Sequence, residues 1–414
     1  MTRAERPALP RALLLSLFLV ILVDISASTS LMPVLPIFAQ QLGASALGAT
    51  MLSATFSACQ LLATPVLGAL SDRVGRKRVL VFSQLGTFGG LVLTAVSGSV
   101  WQLYAGRAID GFTAGNVPVA YALTADRTPP ERRSEAFSIL LAAFGTGLFV
   151  GPLLSGYLAR FDIRTPIFVG AALSALSVAV SWALLPGGPP ASGGGGGPAA
   201  ARPRGPGSLF RVGTYAEYFR RPRLGPLLVQ FLLFMLAVSS FFTCFAVFVV
   251  RAFPSFGASE VGYLLAYGGV LSILFQGLAM RALARRFGDG RLVKAGFATA
   301  ALGQFALGAA HSVPVLVASC TLVTLGFNVL RPTLTSLVSR EVGPDEQGAV
   351  LGVTRSLESV AGMASPLVGG LLLDRGWAPA WAWYMGLLAL SGLALARLGE
   401  RPGEARALPE GGAP

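Results

Sequence analysis

The sequence predicts an all-α membrane protein of 12 transmembrane helices, arranged as two pseudo-symmetric six-helix bundles. Three observations predict it. Hydrophobic residues make up 53% of the chain, charged residues only 12%, and mean hydropathy is +0.67. Soluble domains carry about 25% charged residues, so this chain lacks the polar residues to clothe a water-facing surface. Apolar runs of spanning length recur from one end to the other, and one Gly/Pro-rich interruption divides them into two sets of six.

Crossing about 30 Å of hydrocarbon takes roughly 20 apolar residues. Such runs lie at about 13–39, 46–70, 79–98, 101–125, 135–159, 166–186, 224–250, 258–280, 292–311, 314–339, 347–373 and 378–397, numbered here as spans 1 to 12. The first is too long for a signal-peptide core and is followed by further spans, so it is expected to stay in the mature protein. Between spans 6 and 7 the stretch GGPPASGGGGGPAAARPRGPG reads as a flexible tether. A short amphipathic piece around Tyr215–Phe219 is expected to follow it on the membrane surface. The expected domains are residues 1–186 as an N-terminal bundle, 187–223 as a linker, and 224–414 as a C-terminal bundle with a short tail.

The net charge of +13 and pI near 10.6 follow from topology. Of the 32 Lys and Arg residues, 25 fall in tails and loops on the side of the N-terminus. Four lie in the opposite loops (Arg160, Arg164, Arg251, Arg375) and three within spans (Arg107, Arg331, Arg355). Basic residues stay on the cytoplasmic side, so both termini and the linker are expected there, in a multi-pass protein of the cell inner (plasma) membrane. Nucleic acid is not an expected partner. Cys59, Cys244 and Cys320 sit far apart inside apolar runs, and His311 is the only histidine, which argues against a metal site or disulfide framework. Without a Walker loop, nucleophile elbow or metal cluster, the chain does not read as an enzyme, and no cofactor is expected.

The halves echo one another. Pro130 to Pro152 spans 22 residues, as does Pro344 to Pro366, at an offset of 214. The same shift carries Gly75 close to Gly288, in RRFGDGR, a degraded copy of the first-half loop with Arg285 where Asp72 stands. A parallel repeat of this kind places a substrate site near mid-membrane, between the halves.

Short motifs sharpen the reading. GALSDRVGRKRVL gathers Gly68, Asp72, Arg73, Gly75 and Arg76 between spans 2 and 3. Span 1 has Asp24 followed by SASTSLMPVLP, and span 4 has LYAGRAIDGFTAGN, with Arg107, Gly111 and Gly115. Span 5 has GTGLFVGPLLSG, with Gly147, Gly151, Pro152 and Gly156. Small residues four apart let helices approach closely in lipid, and Pro152 removes a backbone donor and bends its helix. Such a span suits a rocking interface.

With these motifs the chain resembles the major facilitator superfamily, and within it the twelve-span drug:proton antiporters of the tetracycline-exporter-like branch. The resemblance covers nearly everything outside the tether and tails. It implies that Asp72 meets the positive N-terminus of span 11 when the inner side is closed, and that Arg76 pairs with Asp126 at the end of span 4. Where the tetracycline exporters carry a span-3 carboxylate, Gly90 stands here.

Charges at mid-membrane cost about 2.5–3.5 kcal/mol on lenient scales and are functional candidates by default. Asp24, Arg107, Asp110, Arg331, Arg355 and Glu358 lie well inside spans. Arg107–Asp110 and Arg355–Glu358 are each three apart, on one helical face, where either pair can brace the bundle as a self-neutralising unit or serve function. Asp24 has no cation one turn away, which makes it the first candidate for proton coupling and Asp110 the second. Arg331 either faces the cavity, favouring an anionic or zwitterionic substrate, or extends toward the inner side and says nothing about substrate. Asp24, Arg107, Asp110, Asn116, Asn328 and Arg331 make up the expected substrate cavity, and Pro366 joins the span-5 motif among hinge and packing residues.

The expected function is secondary transport by alternating access: proton-coupled efflux of a small, partly apolar, drug-like compound by a monomer in the lipid bilayer. The alternatives are an organic anion or metabolite symporter or uniporter of the same fold, and a transport-dead membrane sensor or scaffold.

Overall fold

The computed structural model describes residues 11–185, 217–343 and 346–398. The core of the expected tether, the tail beyond span 12 and Pro344 of the expected repeat lie outside the described residues. The described chain is helical throughout, without strands.

Ten stretches among the described residues are long and apolar enough to cross a membrane. The expected twelve positions are nonetheless all helical. Span 4 is divided into Val100–Phe112 and Asn116–Arg127. A continuous stretch of 51 residues, Ala258–Gly308, covers spans 8 and 9. The break expected over 281–294 is confined to one residue, with helix on either side. Only Gly288, with φ 73° and ψ 161°, leaves the helical region there. Gly75 has φ 108° and ψ 139° at the corresponding point of the first half. Both glycines occupy left-handed φ that other residues avoid, so the repeat extends to backbone conformation.

Prolines explain the other interruptions. A proline lacks its N–H and crowds the carbonyl four residues earlier. Pro33 acts on Thr29, where Arg11–Thr29 gives way to Leu31–Gln41 within span 1. Pro118 acts on Ala114, inside the break of span 4. Span 2 (Ala46–Val74) begins on Ser45, whose hydroxyl accepts the Gly48 N–H at 3.1 Å, an N-cap. Spans 3, 5, 6 and 7 are Arg76–Ala95, Arg133–Leu158, Thr165–Leu184 and Leu224–Ala252. Span 8 includes a π-turn at Phe275–Ala279. Spans 10, 11 and 12 are Val313–Arg340, Gln347–Asp374 and Ala378–Leu398.

Spans 1, 5 and 6 pack together, and span 3 packs on 4 and 6; in the second half, 9 packs on 10 and 12, and 7 on 11 and 12. The two sets meet chiefly where span 2 lies on span 11 and span 5 on span 8. These contacts concentrate at the end away from the Asp72–Arg76 loop. There the Thr50 hydroxyl donates to the Pro366 carbonyl at 3.0 Å, and Asp374 accepts the Ala46 N–H at 2.9 Å. A Cβ on Gly262 would lie 2.5 Å from the Gly156 Cα and 2.8 Å from the Pro152 carbonyl oxygen. At the end bearing the loop, by contrast, Gly68 faces open space. The molecule is sealed at one end and parted at the other.

Candidate functional site

Asp24 sits in the buried part of span 1, 4% exposed. The break in span 4 places Asn116 as the first residue of a new helix, and its Nδ2 donates to both carboxylate oxygens of Asp24 at 2.9 Å. Hydrogen bonds to a charged group contribute about 1.5–3 kcal/mol, so this one bidentate amide is a substantial part of what holds the carboxylate. No cation pairs with Asp24 among the described residues.

Arg107 Nη1 lies 3.1 Å from Asp110 Oδ2, with both side chains under a tenth exposed. Arg107 Nε and Nη2 make no hydrogen bond, and the Phe56 ring lies 6.0 Å from its guanidinium carbon. Close approach around this group depends on glycine: a Cβ on Gly90 would meet the Gly106 carbonyl oxygen at 2.7 Å. Of the expected cavity residues, Asp24, Arg107, Asp110 and Asn116 are thus gathered inside the first half and closed off from the surface.

Asn328 and Arg331 lie elsewhere. Asn328 accepts from Gln276 and donates to Ser272, each at 2.7 Å, beside the π-turn of span 8. Arg331 Nη2 reaches Glu358 Oε1 at 3.1 Å, while Arg355 Nη1 holds Glu358 Oε2 at 2.6 Å. The two arginines are 56% and 76% exposed. Arg331 is therefore directed at span 11.

In the loop after span 2, Arg76 binds Asp126 at 3.0 Å, Asp72 at 2.5 Å and the Ser71 hydroxyl at 2.6 Å. Asp72 is thus engaged within its own loop and 56% exposed. Lys77 caps the carbonyl end of span 6 through Trp182 and Leu185 at 2.7 and 2.6 Å, a favourable place for a cation. Arg73 is exposed. In the second half, Asp289 binds Arg340 at 3.1 Å, a pair sequence reading missed. The shift that relates Gly75 to Gly288 was the signal that could have found it.

The span-5 motif serves two neighbours. A Cβ on Gly147 would meet Ile25 at 2.8 Å and one on Gly151 would overlap Thr29, both in span 1, and Thr29 donates to the Gly147 carbonyl at 3.0 Å. Gly156 alone of the three faces span 8, where a Cβ would meet the Ser259 carbonyl oxygen at 2.9 Å. Outside the spans, Arg221 holds Glu346 through two hydrogen bonds of 2.8 and 2.7 Å. That contact pushes the Glu346 carboxyl below its ordinary range.

Paired helical halves, one sealed end and charges held at mid-depth define a membrane transporter. The chain belongs to the Major Facilitator Superfamily, whose sequence profile matches residues 17–366 and again 254–414. It is 29% identical over 372 residues to the class E tetracycline resistance protein of Escherichia coli, covering 89% of this chain and 90% of that one. Multidrug resistance protein 1 of Bacillus subtilis is 27% identical, with 83% and 85% covered. In fold, the chain is similar to the human organic anion transporter MFSD10 (TETRAN), with a TM-score of 0.68, 24% identity, and 94% and 100% of the two chains covered. These relatives are transporters, and the protein is a transporter rather than an enzyme.

Proposed function

We propose that this protein exports a small, partly apolar compound across the plasma membrane in exchange for protons, with both termini cytoplasmic. The relatives named for tetracycline and multidrug resistance favour export. Proton coupling rests above all on Asp24: a buried carboxylate held by the neutral Asn116, with no cation to fix its charge. Such a group can gain and lose a proton without breaking an ion pair. Asp110, tied to Arg107, is the second carrier.

In this reading residues 1–186 and 224–414 are two bundles that rock about the contacts of span 2 with 11 and of span 5 with 8. The basic loops mark the cytoplasmic end, so the conformation described is open to the cytoplasm. Breaking of the Asp72–Arg76 contact would accompany closure of that end, when Asp72 is free to meet span 11. A gate of this kind holds only modest energy in each state, because a ligand shifts it by no more than its differential affinity.

The test is proton movement in everted vesicles that are acid-loaded, with tetracycline as the probe. Alkalinisation of the lumen on adding probe, reduced about 100-fold in rate in Asp24→Asn, the scale expected for removing a positioned proton carrier, is the expected result. Probe flux with no proton movement, or coupling unchanged in both Asp24→Asn and Asp110→Asn, would overturn it.

A further inference from the structure

One carboxylate in the second half answers two guanidinium groups. Glu358 gives one oxygen to Arg331 and the other to Arg355, so the trio carries a net charge of +1. At 1.5 Å per residue, Arg331 and Arg355 lie roughly 12–14 Å from the basic ends of their helices, at matching depth.

Span 11 shows where this charge faces. Val350, Val353, Leu357 and Ala361 form its buried side, packed within the second half. Another side carries Arg355, Glu358, Gly362, Pro366 and Gly370, at helical intervals of three and four. Gly370 and Pro366 of that side lie on Thr50, and Gly362 lies on Ser57, all against span 2 of the other half. Arg355, two turns nearer the basic end, is on the same side but highly exposed, because there the halves have parted. It is close enough to Tyr121 of span 4 to act on it electrostatically. The charge therefore faces the space between the halves and not lipid. Tyr121 in turn lies against Phe137, ring centroids 5.4 Å apart and the planes tilted by 49°, so aromatic side chains stand on that side.

We propose that Arg331 and Arg355 form the docking site for a single carboxylate on the transported compound, an amphipathic monoanion with an aromatic or similarly apolar body. One added negative charge brings the trio to neutrality, whereas a cation is repelled. Guanidinium groups present paired donors matched to a carboxylate, and the exposed nitrogens of both arginines are accessible without displacing Glu358. The inference rests on the transporter reading and names its substrate class.

The test compares 1-naphthoate with 1-naphthamide, which share a ring system and differ in charge, by titration calorimetry on the purified full chain. The expected result is about tenfold tighter binding of naphthoate, the scale of charge-assisted hydrogen bonds. Arg331→Gln and Arg355→Gln are each expected to remove that preference, and Glu358→Gln to strengthen naphthoate binding. Both arginines are exposed, and size-exclusion profiles check that the variants remain folded. Equal binding of the two probes, no naphthoate binding, or a preference that survives Arg331→Gln with Arg355→Gln would overturn the proposal. Naphthoate preference without proton-coupled flux leaves the site standing and removes the export reading. Coupled flux of other compounds without naphthoate preference does the reverse.

Discussion

The two halves of this molecule hold the charges within their spans in opposite ways. In the first, Arg107 and Asp110 are matched one to one and almost wholly buried. In the second, two arginines share one glutamate and stand largely exposed. A similar inversion occurs at the basic end. Arg76 after Gly75 binds Asp126 at the foot of span 4, whereas Asp289 after Gly288 binds Arg340 at the foot of span 10. The backbone feature is repeated and the sign of the pair is exchanged. What the repeat preserves is thus the link between a loop and a helix end. The side chains that make the link are replaceable as a pair, and the mid-depth charges are free to take different roles.

The strongest way to break this comparison is to remove one arginine from each half. Arg107→Leu leaves Asp110 buried and unpaired, so a loss of about 3–5 kcal/mol of stability is expected. Arg355→Leu removes an exposed partner and is expected to cost about 1 kcal/mol or less. Unfolding of the purified variants in detergent measures both; similar losses would mean that the halves hold their charges alike. Next in size is Gly262→Val. The new side chain overlaps Gly156 and Pro152, and overpacking of this kind costs about 1–3 kcal/mol. The sealed end should be forced apart and the basic end drawn together. A spin-label distance between Arg73→Cys and Gly352→Cys should shorten; an unchanged distance would remove the span 5–span 8 contact as the pivot. The smallest effect is expected from exchanging a pair. Arg76→Asp with Asp126→Arg copies the second-half arrangement, and a double-mutant cycle against the single variants should recover about 0.5–3 kcal/mol. Additive losses would show that position matters beyond charge complementarity, as the extra bonds of Arg76 to Asp72 and Ser71 allow.

Much of this was legible in the sequence because it is local. Apolar length gave the spans, and spacing of three gave Arg107–Asp110 and Arg355–Glu358, since one helical turn fixes which side chains are neighbours. The shift of Gly75 onto Gly288 was visible as a sequence repeat, and the positive φ of both glycines is what the structure adds to it. What was not legible depends on packing between distant segments. Asn116 was one polar residue among several, and its bond to Asp24, 92 residues away, requires the break in span 4 to aim it. The reach of Arg331 to Glu358 likewise depends on how spans 10 and 11 lie together. The interruption expected over 281–294 is present but reduced to one residue: Gly288 turns the chain while its neighbours stay helical, an economy that charge patterning does not reveal.

The face of span 11 that runs from Arg355 to Gly370 is dry and touching at one end, wet and charged at the other. Rocking the halves would exchange those conditions. An empty cavity would then bring an unbalanced cation toward a closing, water-poor seam, and charge separated from water without a partner resists burial. A bound monoanion removes that resistance. On the docking proposed above, Arg331 and Arg355 would thereby act as an occupancy check, so that closure of that end is favoured when the site is loaded and resisted when it is empty.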